Sequence, residues 1–306
     1  MRGNVSYQVN RLFEQVKCFG ESKKEAKLAA AKELKVHNLQ YNPQNVAERT
    51  GVYAHKTADE YRTIWRECFQ YAKDNFSIKD IEKMSVEAVK AYLTDKIDRT
   101  GGNKGTIAAT SSALVKMAVA LDKLHNSSSH VKDFRQAIST ATAGKTLERT
   151  DRNRAYQDPQ ALQAHLMVEA HRVAAELTAE IGMRATELSL ITPNQLNEHN
   201  HLVFKSKGGQ DNIRTISLEL ADKLREYFAK DGEFKVNQNE YRLDLKQAAF
   251  ATGQEYNGIH GLRYNFAQEN YYDFRSQGLT HTEACQEVSE LMGHHRPDIT
   301  EHYLRR

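Results

Sequence analysis

Apolar side chains recur three and four positions apart along most of this chain, and that period constrains its fold more than any other feature. It dictates helices with one apolar stripe each, which must pack on one another to hide it. The cleanest case is 57–73, where Tyr61, Ile64, Trp65, Cys68, Phe69 and Ala72 line one face. Thr57 stands as its N-cap, with Glu60 at the capping-box position. A second stripe, Val86, Val89, Tyr92, Leu93 and Ile97, follows the cap Ser85 and closes at Gly101-Gly102. A third opens after Gly105 and carries Leu114, Met117, Leu121 and Leu124. Ahead of these, Val9, Leu12, Phe13 and Val16 share a face, and Ser22 precedes the Ala- and Lys-rich run 23–32. These segments predict a compact helical bundle.

From 126 to 154 the chain turns polar, and the later part of that stretch is read as an interdomain linker. A length of 306 residues suggests two domains. They are placed at 1–148, which includes a helical N-terminal segment 1–45, and at 149–306. In the second, Pro159 opens a long helix through Leu162, Leu166, Ala170, Val173, Leu177 and Ile181 to Gly182. The period then changes: short runs at 202–205 and 213–218 flank Gly208-Gly209, a β-hairpin signal. Helices are predicted again over 218–228, 243–251, 262–272 and 282–292, and Pro297 suits the first turn of a last one. The expected fold is mainly α, with a small β-sheet in a mixed α+β second domain.

Composition narrows the function classes. A net charge of +3 permits DNA binding without requiring it. No apolar run reaches membrane-spanning length, and the N-terminus lacks the apolar core of a secretory signal. Cys18, Cys68 and Cys285 are odd in number and far apart, which suggests neither a disulfide framework nor a cysteine zinc site; a reducing cytoplasm is the expected compartment. His281, His294, His295 and His302 invite a metal reading, yet adjacent histidines point apart and no His-Glu-x-x-His motif is present. With no phosphate-binding loop and no dinucleotide fingerprint either, no metal and no cofactor are expected.

Chemistry concentrates in six residues. Arg184 follows the Gly182 helix stop and is read as opening the next helix, where a guanidinium can fork onto phosphate oxygens; Glu187 lies three positions on. Taken alone, that pair reads better as a surface i,i+3 ion pair. Lys207 sits at the hairpin tip, where it can protonate a leaving oxygen or simply be solvated; Lys205 is the competing candidate on the same strand face. His260 and Arg263 share one helical face, an arrangement that suits phosphoryl transfer. His294 follows Gly293, where helix-end carbonyls are reason enough for an imidazole. Tyr303 alone would be an amphipathic core residue; as a nucleophile a phenol needs help, because its pKa of about 10 leaves phenolate scarce.

Taken in order, these pieces resemble the tyrosine recombinases, the family of phage integrases and Xer-type recombinases. The matching stretches are Gly182-Met183-Arg184-Ala185-Thr186-Glu187-Leu188, Phe204-Lys205-Ser206-Lys207-Gly208-Gly209, His260-Gly261-Leu262-Arg263, and Leu291-Met292-Gly293-His294 with Tyr303 nine positions beyond His294. The resemblance implies a helical core-binding domain and a catalytic domain that clamp duplex DNA at a specific recombination site. It implies that Tyr303 attacks the scissile phosphate, that Arg184 and Arg263 stabilise the transition state and that Lys207 is the general acid. His260 would assist proton transfer, His294 would bond a phosphate oxygen, and Glu187 would support Arg184. No cofactor and no metal would be needed, and four protomers would exchange strands through a Holliday junction, with DNA-bending or directionality proteins as possible accessories. Integration or excision of a mobile element in a bacterial cytoplasm is the expected role. Dimer resolution, inversion, type IB topoisomerase activity and non-catalytic DNA binding are the alternatives. Two departures stand out: a longer stretch between Arg263 and His294, and only three residues after Tyr303, where many relatives carry a helix that docks on a neighbouring protomer.

Overall fold

The structure, a computed structural model, describes residues 1–148, 152–206 and 211–305. The chain divides into two compact units, Met1–Thr150 and Asp151–Arg306, and the apolar cores fall within one or the other.

Among the described residues of the first unit, seven α-helices follow one another. They are α1 (Val5–Phe13), α2 (Lys23–Val36), α3 (Pro43–Arg49), α4 (His55–Phe76), α5 (Val86–Arg99), α6 (Lys104–His125) and α7 (Ser129–Thr142). Five start where a side chain satisfies a backbone donor that the helix cannot: Asn4, Ser22, Asn42, Ser85 and Asn103 each accept the N–H three residues on. Trp65 of α4 is fully buried, and its indole N–H donates to the Ala113 carbonyl of α6 at 2.7 Å. That bond lets the largest side chain of the core enter without stranding its one polar atom.

One expectation fails here, and one helix was not foreseen. Thr57 is not the cap of α4: the helix begins at His55, behind Ala54, which makes no side-chain cap. The incoming chain is already fixed by Val52, which exchanges backbone bonds with Val16 and Cys18, and His55 packs on the Phe19 ring. Ahead of the expected linker, the polar stretch after residue 126 holds α7, a helix that apolar spacing did not predict. Its buried Phe134, Ala137 and Ala141 form a sparse stripe, and its first N–H groups are taken by Asp122 of α6, a cap no local pattern reveals.

The second unit contains α8 (Pro159–Ala164), α9 (Glu169–Ile181), β1 (Leu190–Ile191), β2 (His201–Lys205), β3 (Asp211–Thr215) and α10 (Leu218–Asp231). They are followed by β4 (Phe234–Lys235), α11 (Gln238–Ala251), α12 (Ile259–Ser276), α13 (His281–Leu291) and α14 (Pro297–Leu304). The fold is thus mainly α with, among the described residues, two two-stranded antiparallel sheets: β1 pairs with β4, and β2 pairs with β3 in the register Leu202 opposite Arg214 and Phe204 opposite Asn212. The predicted hairpin is present as β2–β3, while Ile216 lies beyond the strand and Ser217 caps α10. The single long helix expected from Pro159 is broken between Ala164 and Glu169. Asp244 of α11 accepts the N–H groups of Met167 and Val168 at 3.0 and 3.2 Å and so starts α9 afresh. Helix α12 lies against α9, α13 and α14, which brings the ends of all four elements together. Among the described residues, no helix is long and apolar enough to cross a membrane.

Candidate active site

The site is assembled from chain ends, each set by a local stop. Helix α9 terminates in Gly182, whose φ of +67° places it in the left-handed region. A Cβ there would lie 2.6 Å from the Phe266 ring of α12, so only glycine allows this approach. Two residues on, Arg184 sits in a turn rather than at the start of a helix, which corrects the sequence reading. Its backbone N–H and its guanidinium both bond the Glu187 carboxylate, at 2.7 and 2.8 Å. The Glu187 side chain is 3% exposed. This is a largely buried pair, with Glu187 enclosed and Arg184 partly open, rather than the surface pair that the spacing alone suggests.

Arg263 and His260 stand in the opening turns of α12. Tyr156 braces that helix start: its hydroxyl accepts from the Asn257 N–H and donates to the Gly258 carbonyl, both at 3.1 Å. Arg263 is 2% exposed, a rare situation for a guanidinium. One of its terminal nitrogens donates to the Gly182 carbonyl and the other to the Met292 carbonyl, the latter at 2.6 Å. Its Nε is buried with no hydrogen-bond partner among the described residues. Burial, then repulsion from Arg184, lowers its pKa; Tyr303 and Glu187 oppose that shift.

The end of α13 supplies the acceptor that the two arginines share. Arg184 also donates to the Met292 carbonyl, at 3.1 Å, so both guanidinium groups meet at one oxygen. Beyond Met292 the chain turns through Gly293 at φ +64°, and the His294 and Gly293 N–H groups close the helix on the Ser289 and Glu290 carbonyls. His294 is thereby directed at Tyr303, on which its ring stacks with centroids 5.8 Å apart and planes 21° apart. His295 departs from the pair: its Nδ1 contacts the Glu290 carboxylate.

Tyr303 lies on α14 and is 4% exposed, enclosed by the rings of Tyr264, His260, His294 and His302. Its hydroxyl is 3.4 Å from His260 Nε2. Helix α14 is anchored from both sides. The Thr300 hydroxyl donates to the Cys285 carbonyl, Gln268 of α12 donates to the Tyr303 carbonyl at 2.7 Å, and Tyr264 and His302 bond at 2.9 Å. His294 is half-buried, and desolvation followed by the charges of Arg263 and Arg184 pushes its pKa down to about 3. His260 is exposed, yet desolvation by the atoms around it, then the charges of Arg263 and Arg154, lower its pKa as well. Both imidazoles are therefore neutral near pH 7 and able to donate through one nitrogen while accepting through the other.

Five of the six candidate residues, with Glu187, thus come together in the second unit. The sixth, Lys207, lies outside the described residues; its competitor Lys205 ends β2, exposed, opposite Asp211. Sequence reasoning missed four further residues around the site. The Ser206 hydroxyl accepts from Arg184 at 3.3 Å and from Asn212 at 2.6 Å, and Arg214 reaches the end of α13. Arg154 donates to the Asn257 carbonyl and adds positive charge near His260. Only the adjacency of Ser206 to Lys207 offered a signal for any of them. Among the described residues, no group of three or more His, Cys, Asp or Glu side chains is placed to hold a metal ion.

The fold is that of the tyrosine recombinases. Three solved structures illustrate the similarity. XerH in a pre-cleavage complex with its difH substrate aligns with a TM-score of 0.62 at 15% identity, over 98% of this chain and 91% of its own. A lambda integrase dimer bound to a core site aligns at 0.55 and 16%, over 96% and 79%. The Tn1549 transposon integrase (aa 82–397) with circular-intermediate DNA aligns at 0.51 and 13%, over 91% and 94%. No family model and no curated protein matches the sequence.

Proposed function

We propose that this chain is a site-specific DNA recombinase of the integrase kind, which breaks and rejoins strands through a 3′-phosphotyrosyl link. The observation that carries this reading is the meeting of Arg184 and Arg263 on one carbonyl beside a tyrosine hydroxyl flanked by two imidazoles. A phosphate at that place finds two guanidinium groups, one of them almost wholly desolvated, where charge develops as phosphorus becomes five-coordinate.

In this reaction the Tyr303 oxygen attacks phosphorus and its proton passes to His260 Nε2. The bond from phosphorus to the 5′ oxygen breaks, and that oxygen leaves as a hydroxyl with a proton from Lys207. Arg184 and Arg263 neutralise the non-bridging oxygens, His294 donates a hydrogen bond to one of them, and Glu187 holds Arg184 in place. Rejoining runs the same steps backwards: a 5′ hydroxyl attacks the phosphotyrosine, and the phenol recovers its proton. The ester conserves the energy of the broken link, so neither cofactor nor nucleotide is consumed. The partners are duplex DNA bearing a recombination site and three further copies of the chain, acting in a bacterial cytoplasm on a prophage or other mobile element. Dimer resolution and inversion use the same chemistry and differ only in the sites joined.

A nicked suicide duplex tests the reading. Wild-type protein is expected to accumulate a covalent protein–DNA adduct, and Tyr303→Phe to accumulate none while binding the same DNA. Relaxation of supercoils without partner exchange would instead identify a type IB topoisomerase. Binding without any adduct would leave a non-catalytic DNA-binding protein.

A further inference from the structure

Three guanidinium groups converge on three consecutive carbonyls at the end of α13. Arg184 and Arg263 share Met292, while Arg214 of β3 donates through one nitrogen to both Glu290 and Leu291, at 2.9 and 3.0 Å. These are the carbonyls immediately before Gly293 and His294. The helix is already closed by its own backbone, since the Gly293 and His294 N–H groups return to Glu290 and Ser289. A third cation is therefore not needed to terminate it. Burying the cation here carries a cost that the helix-end carbonyls offset only in part: Arg214 is half-buried, its Nε is buried without a partner among the described residues, and burial lowers its pKa against the opposing pull of Glu290.

The same strand face grips the site a second time. Asn212, two residues before Arg214 and so on the same side of β3, donates to the Ser206 hydroxyl that also accepts from Arg184. A Cβ on Gly293 would lie 3.1 Å from that hydroxyl and 3.5 Å from Asn212 Oδ1, so the turn before His294 packs closely on both.

We propose that Arg214 is a positioning residue for strand cleavage: it fixes the end of α13, and through it the His294 ring, relative to Arg184, Arg263 and Tyr303. It touches no reacting atom. This proposal rests on the recombinase reading above, and the experiment separates the two.

Single-turnover cleavage of the suicide duplex is measured at saturating protein for Arg214→Ala, Arg214→Met and Arg214→Lys, with DNA affinity and thermal unfolding measured in parallel. The two neutral variants are expected to cleave roughly 10- to 100-fold more slowly with affinity unchanged, the cost of a small displacement in the site. Arg214→Lys is expected to recover part of the rate, because an ammonium can hold one of the two carbonyls. His294 is followed by NMR titration in DNA-free protein. Its midpoint should move upward in Arg214→Met as the ring leaves its packed place near Arg263, Arg184, His260 and His295. Cleavage as fast as wild type in the neutral variants, or a rate loss no larger than the loss of affinity, overturns the proposal. Wild-type protein that makes no adduct would defeat the recombinase reading alone. In that case the titration still decides: an unmoved His294 midpoint in Arg214→Met overturns the positioning role.

Discussion

Arg184 and Arg263 bring two positive charges into a space where Glu187 is the bonded carboxylate, and the histidines respond. Their field, added to desolvation, holds His294 near a pKa of about 3 against an ordinary 6.5. The linkage has a definite sign. As pH falls below 6.5 the unfolded chain takes up a proton at this residue that the native chain refuses. Native stability is therefore lost progressively as pH drops from 6.5 toward 3, and His260 pushes in the same direction. Replacing His294 with Gln removes that proton uptake, so urea unfolding across this window should show a shallower loss than wild type. Parallel curves would mean that the native His294 carries its proton like a free imidazole. At this scale the sequence was most legible where a candidate side chain sits beside a local stop: Arg184 after Gly182, and His294 after Gly293. It was silent on Ser206, Asn212, Arg214 and Arg154, because each acts through contacts made only after folding. Arg214, for instance, reaches carbonyls 76 and 77 positions away.

Helix ends, more than helix bodies, place the site. Gly293 illustrates the cost of a change at such an end: it is left-handed, and any side chain would press on Ser206. Gly293→Ala should lower the unfolding free energy by about 1–2 kcal/mol from backbone strain alone. Adduct formation should fall with it, since His294 and the Met292 carbonyl flank the turn. Unchanged stability in urea would mean that the turn tolerates a side chain there. Elements with dense stripes and local caps, such as α5 behind Ser85, were readable from spacing. Those whose caps come from afar were not. Asp122 starts α7 and Asp244 starts α9, so one helix was not predicted and one break read as continuous helix. The two-residue strands β1 and β4 are too short to leave any period in the sequence.

At the scale of the whole molecule, a mainly helical class with a little sheet followed from apolar periodicity, because each stripe has only other stripes to pack against. The particular fold came from the ordered motifs of the second half, and solved recombinases at 13–16% identity share it. At such identity the fold persists while the ligand surfaces diverge, so what this chain recognises is not read from its fold. What does remain testable in one step is the atom to which DNA becomes attached. The adduct trapped on a suicide duplex should be digested and the DNA-bearing peptide sequenced by mass spectrometry. The account predicts a single modified peptide with the nucleotide on the Tyr303 oxygen. Attachment at any other residue would contradict it.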